Sequence, residues 1–203
     1  MENDRITGAT VYKNLMAQQH NDVFEVFREF LSDVRPSQIL EIGTAGGGLT
    51  MYIRDVLNEI GLSDTPIKTF EILDSVIYKR LRDNNIEVYI EDIFDSTHSR
   101  LKEGSEMINF INRSGTTLIL VDGGFKIGEF NALSDYVRVG DYIMAHDYAS
   151  TPEYFEEHIN GKIWNWCELL DTQIEEACKR NNLIKYREDF FQKVVWTCRI
   201  KEK

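Results

Sequence analysis

The chain has 203 residues, 42% hydrophobic and 28% charged, enough apolar material for one ordinary domain with a sizeable core. Its 34 acidic against 23 basic side chains give a formal net charge of −11, a surface that repels nucleic-acid phosphates and anionic lipid. No apolar run reaches the ~20 residues of a membrane span, and three cysteines without a CxxC pair exclude a disulfide frame or a zinc knot.

In chain order, apolar residues at three- and four-residue steps from Val11 to Val34 predict a helix, stopped by Pro36. The opening MENDRITGATVYKNL lacks the basic-then-apolar layout of a signal peptide, so a cytoplasmic protein with reduced Cys167, Cys178 and Cys198 is expected. Gln38–Gly43 then reads as a strand, Leu49–Ile60 as a helix ended by Gly61, and Ile67–Ile72 as a second strand. A helix over Ser75–Asn84, a strand over Ile86–Ile90 and a helix within Ser99–Asn112 follow. Thr116–Val121 is an apolar run suited to the centre of a parallel sheet. A helix over Gly128–Val137, a strand over Tyr142–Ala145 and a long amphipathic helix over Lys162–Arg180 come next. Leu183–Tyr186 and Val194–Ile200 close the chain as an antiparallel pair with no helix between them.

This alternation predicts an α/β fold: a doubly wound, mostly parallel, seven-stranded Rossmann-like sheet with a final antiparallel strand and helices on both faces. Residues 1–36 are expected to form a helical cap or oligomer contact, consistent with a homodimer, and 37–203 the ligand-binding domain.

Ligands of open α/β sheets bind beyond the carboxyl ends of the strands, so the residues there carry the functional signal. After the first strand stands Glu41-Ile-Gly43-Thr44-Ala45-Gly46-Gly47-Gly48, either a tight turn or a loop that admits a ligand close to its backbone. The lead carboxylate Glu41 would repel a pyrophosphate and suits a cationic or zwitterionic ligand. Glu71 ends the second strand, where a carboxylate can accept both hydroxyls of a ribose. Asp92 ends the third, where it can accept an adenine amine while Ile93 packs on the ring. Asp122 follows the fourth strand, and His146 and Asp147 follow the fifth. Either these three converge on a divalent cation with open positions, or Asp122 caps a helix and His146 is an interior histidine.

ILEIGTAGGG, TFEI, YIEDIF and LILVDGG together resemble the class I S-adenosylmethionine-dependent methyltransferases, over about residues 37–200. The resemblance implies that Gly43 to Gly47 hold the methionine part of the cofactor, Glu71 its ribose and Asp92 its adenine, with Glu41, Ile93 and Asp122 also lining the cofactor. Placement of Asp122 and His146-Asp147 resembles the metal-dependent O-methyltransferases, of the catechol type and the cephalosporin-hydroxylase-like group. There, such residues hold magnesium against the hydroxyl to be methylated. Two departures stand out: His-Asp replaces the catechol type's Asp-Asn, and Lys126 lies four residues past Asp122 where that type has its base lysine three past. Lys126 is therefore one candidate general base and His146 another, the latter without a metal. The aromatics Tyr148, Tyr154, Phe155, Trp164 and Trp166 either wall a small-molecule acceptor site or pack the long helix. A non-catalytic nucleoside-binding module and a dinucleotide-dependent oxidoreductase are the alternatives. Nucleic-acid methylation is disfavoured by charge and by the lack of an Asn/Asp-Pro-Pro-aromatic motif.

Overall fold

The computed structural model describes residues 10–102 and 106–203. Residues 1–9 of the expected cap and 103–105 of the expected Ser99–Asn112 helix lie outside these.

Seven strands form the central sheet: β1 (Gln38–Ile42), β2 (Ile67–Glu71), β3 (Ile86–Ile90), β4 (Thr117–Val121), β5 (Tyr142–Ala145), β6 (Leu183–Lys185) and β7 (Thr197–Lys201). Their spatial order is β6-β7-β5-β4-β1-β2-β3, and only β7 runs antiparallel to its neighbours β5 and β6. Side-chain alternation sends Ile39, Leu118, Leu120 and Met144 to one face and Leu40, Ile119, Val121 and Ile143 to the other, so the sheet is buried on both sides. Helices α1 (Val23–Val34) and α2 (Gly48–Glu59) cover the first face; α4 (Glu106–Ile111), α5 (Lys126–Ser134) and α6 (Asp171–Asn181) cover the second, and α3 (Tyr78–Arg82) links β2 to β3. No described helix is long and apolar enough to cross a membrane.

The strand expectations hold except at the start of the last strand, and three helical ones need correction. The first helix begins at Val23, not Val11. Lys13 and Asn14 both adopt left-handed backbone (φ 48° and 61°) and turn Val11–Tyr12 back on Leu15–Met16 as a small antiparallel hairpin. The apolar stripe of α1 (Val23, Val26, Phe27, Phe30, Leu31) is buried in the chain's own core. The expected Lys162–Arg180 helix exists only as α6. Its first nine residues instead wrap around Asp147: the Trp164 indole donates to Asp147 Oδ1 at 2.6 Å, and Glu168 and Leu169 donate to its carbonyl. A short helix α7 (Glu188–Gln192) stands between β6 and β7, where none was expected, and the last strand starts at Thr197, not Val194. Val195 is left-handed (φ 54°) and Trp196 is fully buried, so this stretch is a packed turn.

Candidate active site

Both β2 and β4 flank β1, so the glycine loop emerges at the point where strand order reverses. Backbone bonds carry the ladder past the strand ends: Gly43 donates to Phe70 (2.9 Å), Asp122 to Ile42 (2.8 Å) and His146 to Val121 (3.1 Å). These set Glu41, Asp122 and His146-Asp147 side by side at one sheet edge. At Gly43 (φ 89°) a Cβ would lie 2.2 Å from the Asp122 carbonyl oxygen, so only glycine lets the first and fourth strand ends approach this closely.

The other glycines meet a different neighbour. A Cβ on Gly46 would lie 2.4 Å from the Met16 carbonyl oxygen, and one on Gly48 2.7 Å from that of Leu15. Residues 10–22 thus form a strap laid directly on the loop, and part of the loop's glycine content serves the strap. A Gly46→Ala change should overpack this contact and lower stability by roughly 1–3 kcal/mol. A melting temperature within 1 °C of the wild type would contradict the packing argument.

Two cavities adjoin at this edge and share Gly43, Ala45 and Asp122. The larger, about 520 Å³, lies between the ends of β1, β2, β3 and β4 and is lined by Phe70, Glu71, Asp92, Ile93 and Phe94. Glu71 Oε2 accepts from the Ala45 amide (2.9 Å) and Oε1 from that of Ile72 (2.8 Å), so it orders the glycine loop. Each oxygen retains a lone pair for a further donor. Asp92 Oδ1 accepts from Phe94 N at 3.0 Å, fixing the turn that buries Ile93 and Phe94.

The second cavity, about 270 Å³, is walled by Ala17, Gln18, Glu41, Lys126, Trp164, Trp166 and Glu168, with Asp122, His146 and Asp147 along one side. Glu41 is buried and accepts from Thr50 (2.7 Å) and Thr69 (2.5 Å); burial outweighs these bonds and pushes its pKa up to about 7. Trp164 and Trp166 line this cavity. Tyr148 does not: it is 1% exposed and its hydroxyl donates to Asp171 (2.7 Å), while Tyr154 and Phe155 pack elsewhere.

One donor atom each from Asp122, His146 and Asp147 lie within 4.8 Å of one another. His146 Nδ1 is 3.1 Å from Asp122 Oδ1 and 3.5 Å from Asp147 Oδ1. Burial alone would lower the His146 pKa, but Asp147 and Asp122 outweigh it and hold it above the ordinary value. The Lys126 ammonium sits 2.9 Å from Asp147, 2.8 Å from Glu168 and 3.6 Å from Asp122. Burial opposes its charge, yet these carboxylates raise its pKa, so in this arrangement it is an ammonium, with no lone pair to take a proton as a general base. His146 Nε2 is buried without a partner, its ring set against Trp196 and Trp164 (centroids 5.0 and 5.4 Å).

Sequence reasoning missed two members of this group. Gln19, 1% exposed, donates from Nε2 to Asp122 Oδ2 at 2.7 Å, and Glu168 pairs with Lys126. Gln19 lies in the polar run Gln18-Gln19-His20-Asn21-Asp22, which breaks the apolar periodicity before α1 but does not point to Asp122.

The strand order, the glycine loop and the acidic strand ends define the fold of S-adenosylmethionine-dependent methyltransferases. Among solved structures, the chain is similar to ligand-free CmcI (TM-score 0.63, 15% identity, covering 97% of this chain and 78% of that one). It is also similar to CmcI with Mg-SAM (0.58, 15%, 95% and 77%) and to an O-methyltransferase family protein from Burkholderia thailandensis (0.55, 10%, 89% and 55%). No family model and no curated protein matches the chain.

Proposed function

We propose that the protein is an S-adenosylmethionine-dependent O-methyltransferase acting on a small hydroxylated molecule with the help of a divalent cation. The observation that supports this reading is the pair of adjoining cavities, one lined by Glu71, Asp92 and Ile93 and the other bordered by the Asp122, His146 and Asp147 cluster, with Asp122 in both.

The residues fit the cofactor. Glu71 retains acceptor capacity for the ribose hydroxyls, Asp92 and the apolar pair Ile93 and Phe94 suit an adenine edge and face, and Glu41 lies where a cationic amine or sulfonium gains from a carboxylate. They offer ligands for a divalent cation as well: two carboxylates and one imidazole whose donor atoms lie within 4.8 Å of one another, a mixed oxygen and nitrogen set in which the cation would displace the Lys126 ammonium from Asp147. When bound, the cofactor supplies an electrophilic methyl group and the cation lowers the pKa of an acceptor hydroxyl. The chain's own part is to orient. Trp164 and Trp166 flank the acceptor space, Lys126 and Glu168 border it, and the glycine loop fixes the approach to Asp122. The net charge of −11 disfavours nucleic acid and anionic membranes as partners, which supports a small-molecule acceptor.

Glu71 gives the direct test of the cofactor half. Loss of hydrogen bonds to a charged group costs about 1.5–3 kcal/mol, so Glu71→Ala should weaken S-adenosylhomocysteine binding by at least about 10-fold in calorimetry. Unchanged affinity would move the ribose elsewhere.

A further inference from the structure

The side chain of Gln19 is held at both ends. Trp196 Nε1 donates to Gln19 Oε1 at 2.8 Å, and Gln19 Nε2 donates to Asp122 Oδ2 at 2.7 Å. An indole N–H is a donor only, so the atom it meets must be the amide oxygen, and the amide nitrogen has to face Asp122. This removes the usual ambiguity of a glutamine amide. It also means that Gln19 cannot turn its oxygen toward a cation while Trp196 holds it.

For Asp122 the consequence is directional. Oδ2 accepts from Gln19, and Oδ1 faces His146 Nδ1 (3.1 Å) and the Lys126 ammonium (3.6 Å). Gln19 Nε2 itself stands 3.5 Å from His146 Nδ1. Both ends of the chain supply this support. Gln19 is carried by the strap, anchored where Thr10 donates to its carbonyl and turned inward by left-handed Gln18 (φ 52°); fully buried Trp196 precedes β7.

We propose that Gln19 is a positioning residue: oriented by Trp196, it locks the Asp122 carboxylate so that one chosen oxygen faces the cation side of the cluster. This rests on the cation reading of the preceding subsection. Partners that orient a ligand typically matter 10–100-fold in metal affinity.

Manganese titration of the whole protein in the presence of S-adenosylhomocysteine, on wild type and Gln19→Met, tests it. The variant is expected to bind manganese at least 10-fold more weakly and S-adenosylhomocysteine within about 2-fold of wild type. Manganese affinity within 2-fold of wild type overturns the proposal, and so does a parallel loss of both ligands, which a merely structural role would give. If Gln19→Met does not fold, Trp196→Phe frees the amide to rotate and should still weaken manganese at least 3-fold; no weakening overturns the proposal equally. Wild-type protein that binds S-adenosylhomocysteine without manganese sinks the cation reading and this inference together. Failure to bind S-adenosylhomocysteine sinks the methyltransferase reading itself.

Discussion

Replacing Asp122 by asparagine is expected to abolish divalent-cation binding while sparing the nucleoside site. The exchange keeps shape and leaves an oxygen that can accept from Gln19, but it removes the charge on which the cluster depends. Asp122 borders both cavities and touches His146, Lys126 and Gln19. Removing a charged ligand should cost more than losing one of its supports, hence more than about 100-fold in manganese affinity. S-adenosylhomocysteine affinity should stay within about 3-fold, because Glu71, Asp92, Ile93 and Phe94 are untouched. If manganese still binds the variant with near wild-type affinity, Asp122 is no ligand, and the triad must be read as an ion-paired interior cluster.

The second large effect concerns Glu41 and stability. Its carboxyl is buried, and its pKa stands near 7 in the folded protein against 4.5 in the unfolded chain. A raised folded pKa means that its contribution to stability is fully present below about pH 4.5. That contribution is lost progressively as pH rises through the folded pKa. At 1.36 kcal/mol per pKa unit, the cost of keeping this group in the fold above pH 7 is about 3 kcal/mol. Glu41→Gln retains an oxygen for Thr50 and Thr69 and removes the charge. It should therefore stabilise the protein by up to about 3 kcal/mol at pH 8 and by little at pH 4, as read from urea melts at the two pH values. The same exchange should weaken S-adenosylmethionine, whose cationic end loses its carboxylate. Equal stability changes at both pH values would show that Glu41 ionises as freely in the fold as out of it.

Much of this arrangement was legible in the sequence because parallel strands announce themselves as short apolar runs and their carboxyl ends fall at countable positions. Glu41, Glu71, Asp92, Asp122 and His146-Asp147 could all be placed at one sheet edge from strand counting alone, and the structure brings them there. What escaped was everything set by tertiary contact. Ile163, Trp166 and Cys167 match a helical period, yet the bond from the Trp164 indole to Asp147 and the pairing of Leu169–Leu170 with Tyr148–Ala149 hold that stretch as loop and strand. The family resemblance made Lys126 a candidate base, but its protonation is decided by Asp147, Glu168 and Asp122, which only the fold assembles. Gln19 is 103 residues from Asp122 in sequence, and no local pattern reports such a contact. The glycines after β1 were readable as a permissive loop, but not that Gly46 and Gly48 make room for the strap.

The central claim is that one edge of the sheet holds a sulfonium nucleoside in one cavity and presents a cation in the next, joined at Asp122. A crystal structure of the protein grown with S-adenosylhomocysteine and manganese tests it most directly. The ribose hydroxyls are expected on Glu71, the adenine against Ile93 and an anomalous peak within bonding distance of Asp122, His146 and Asp147. Nucleoside density outside the Glu71–Asp92 cavity, or a manganese peak remote from Asp122, would contradict it.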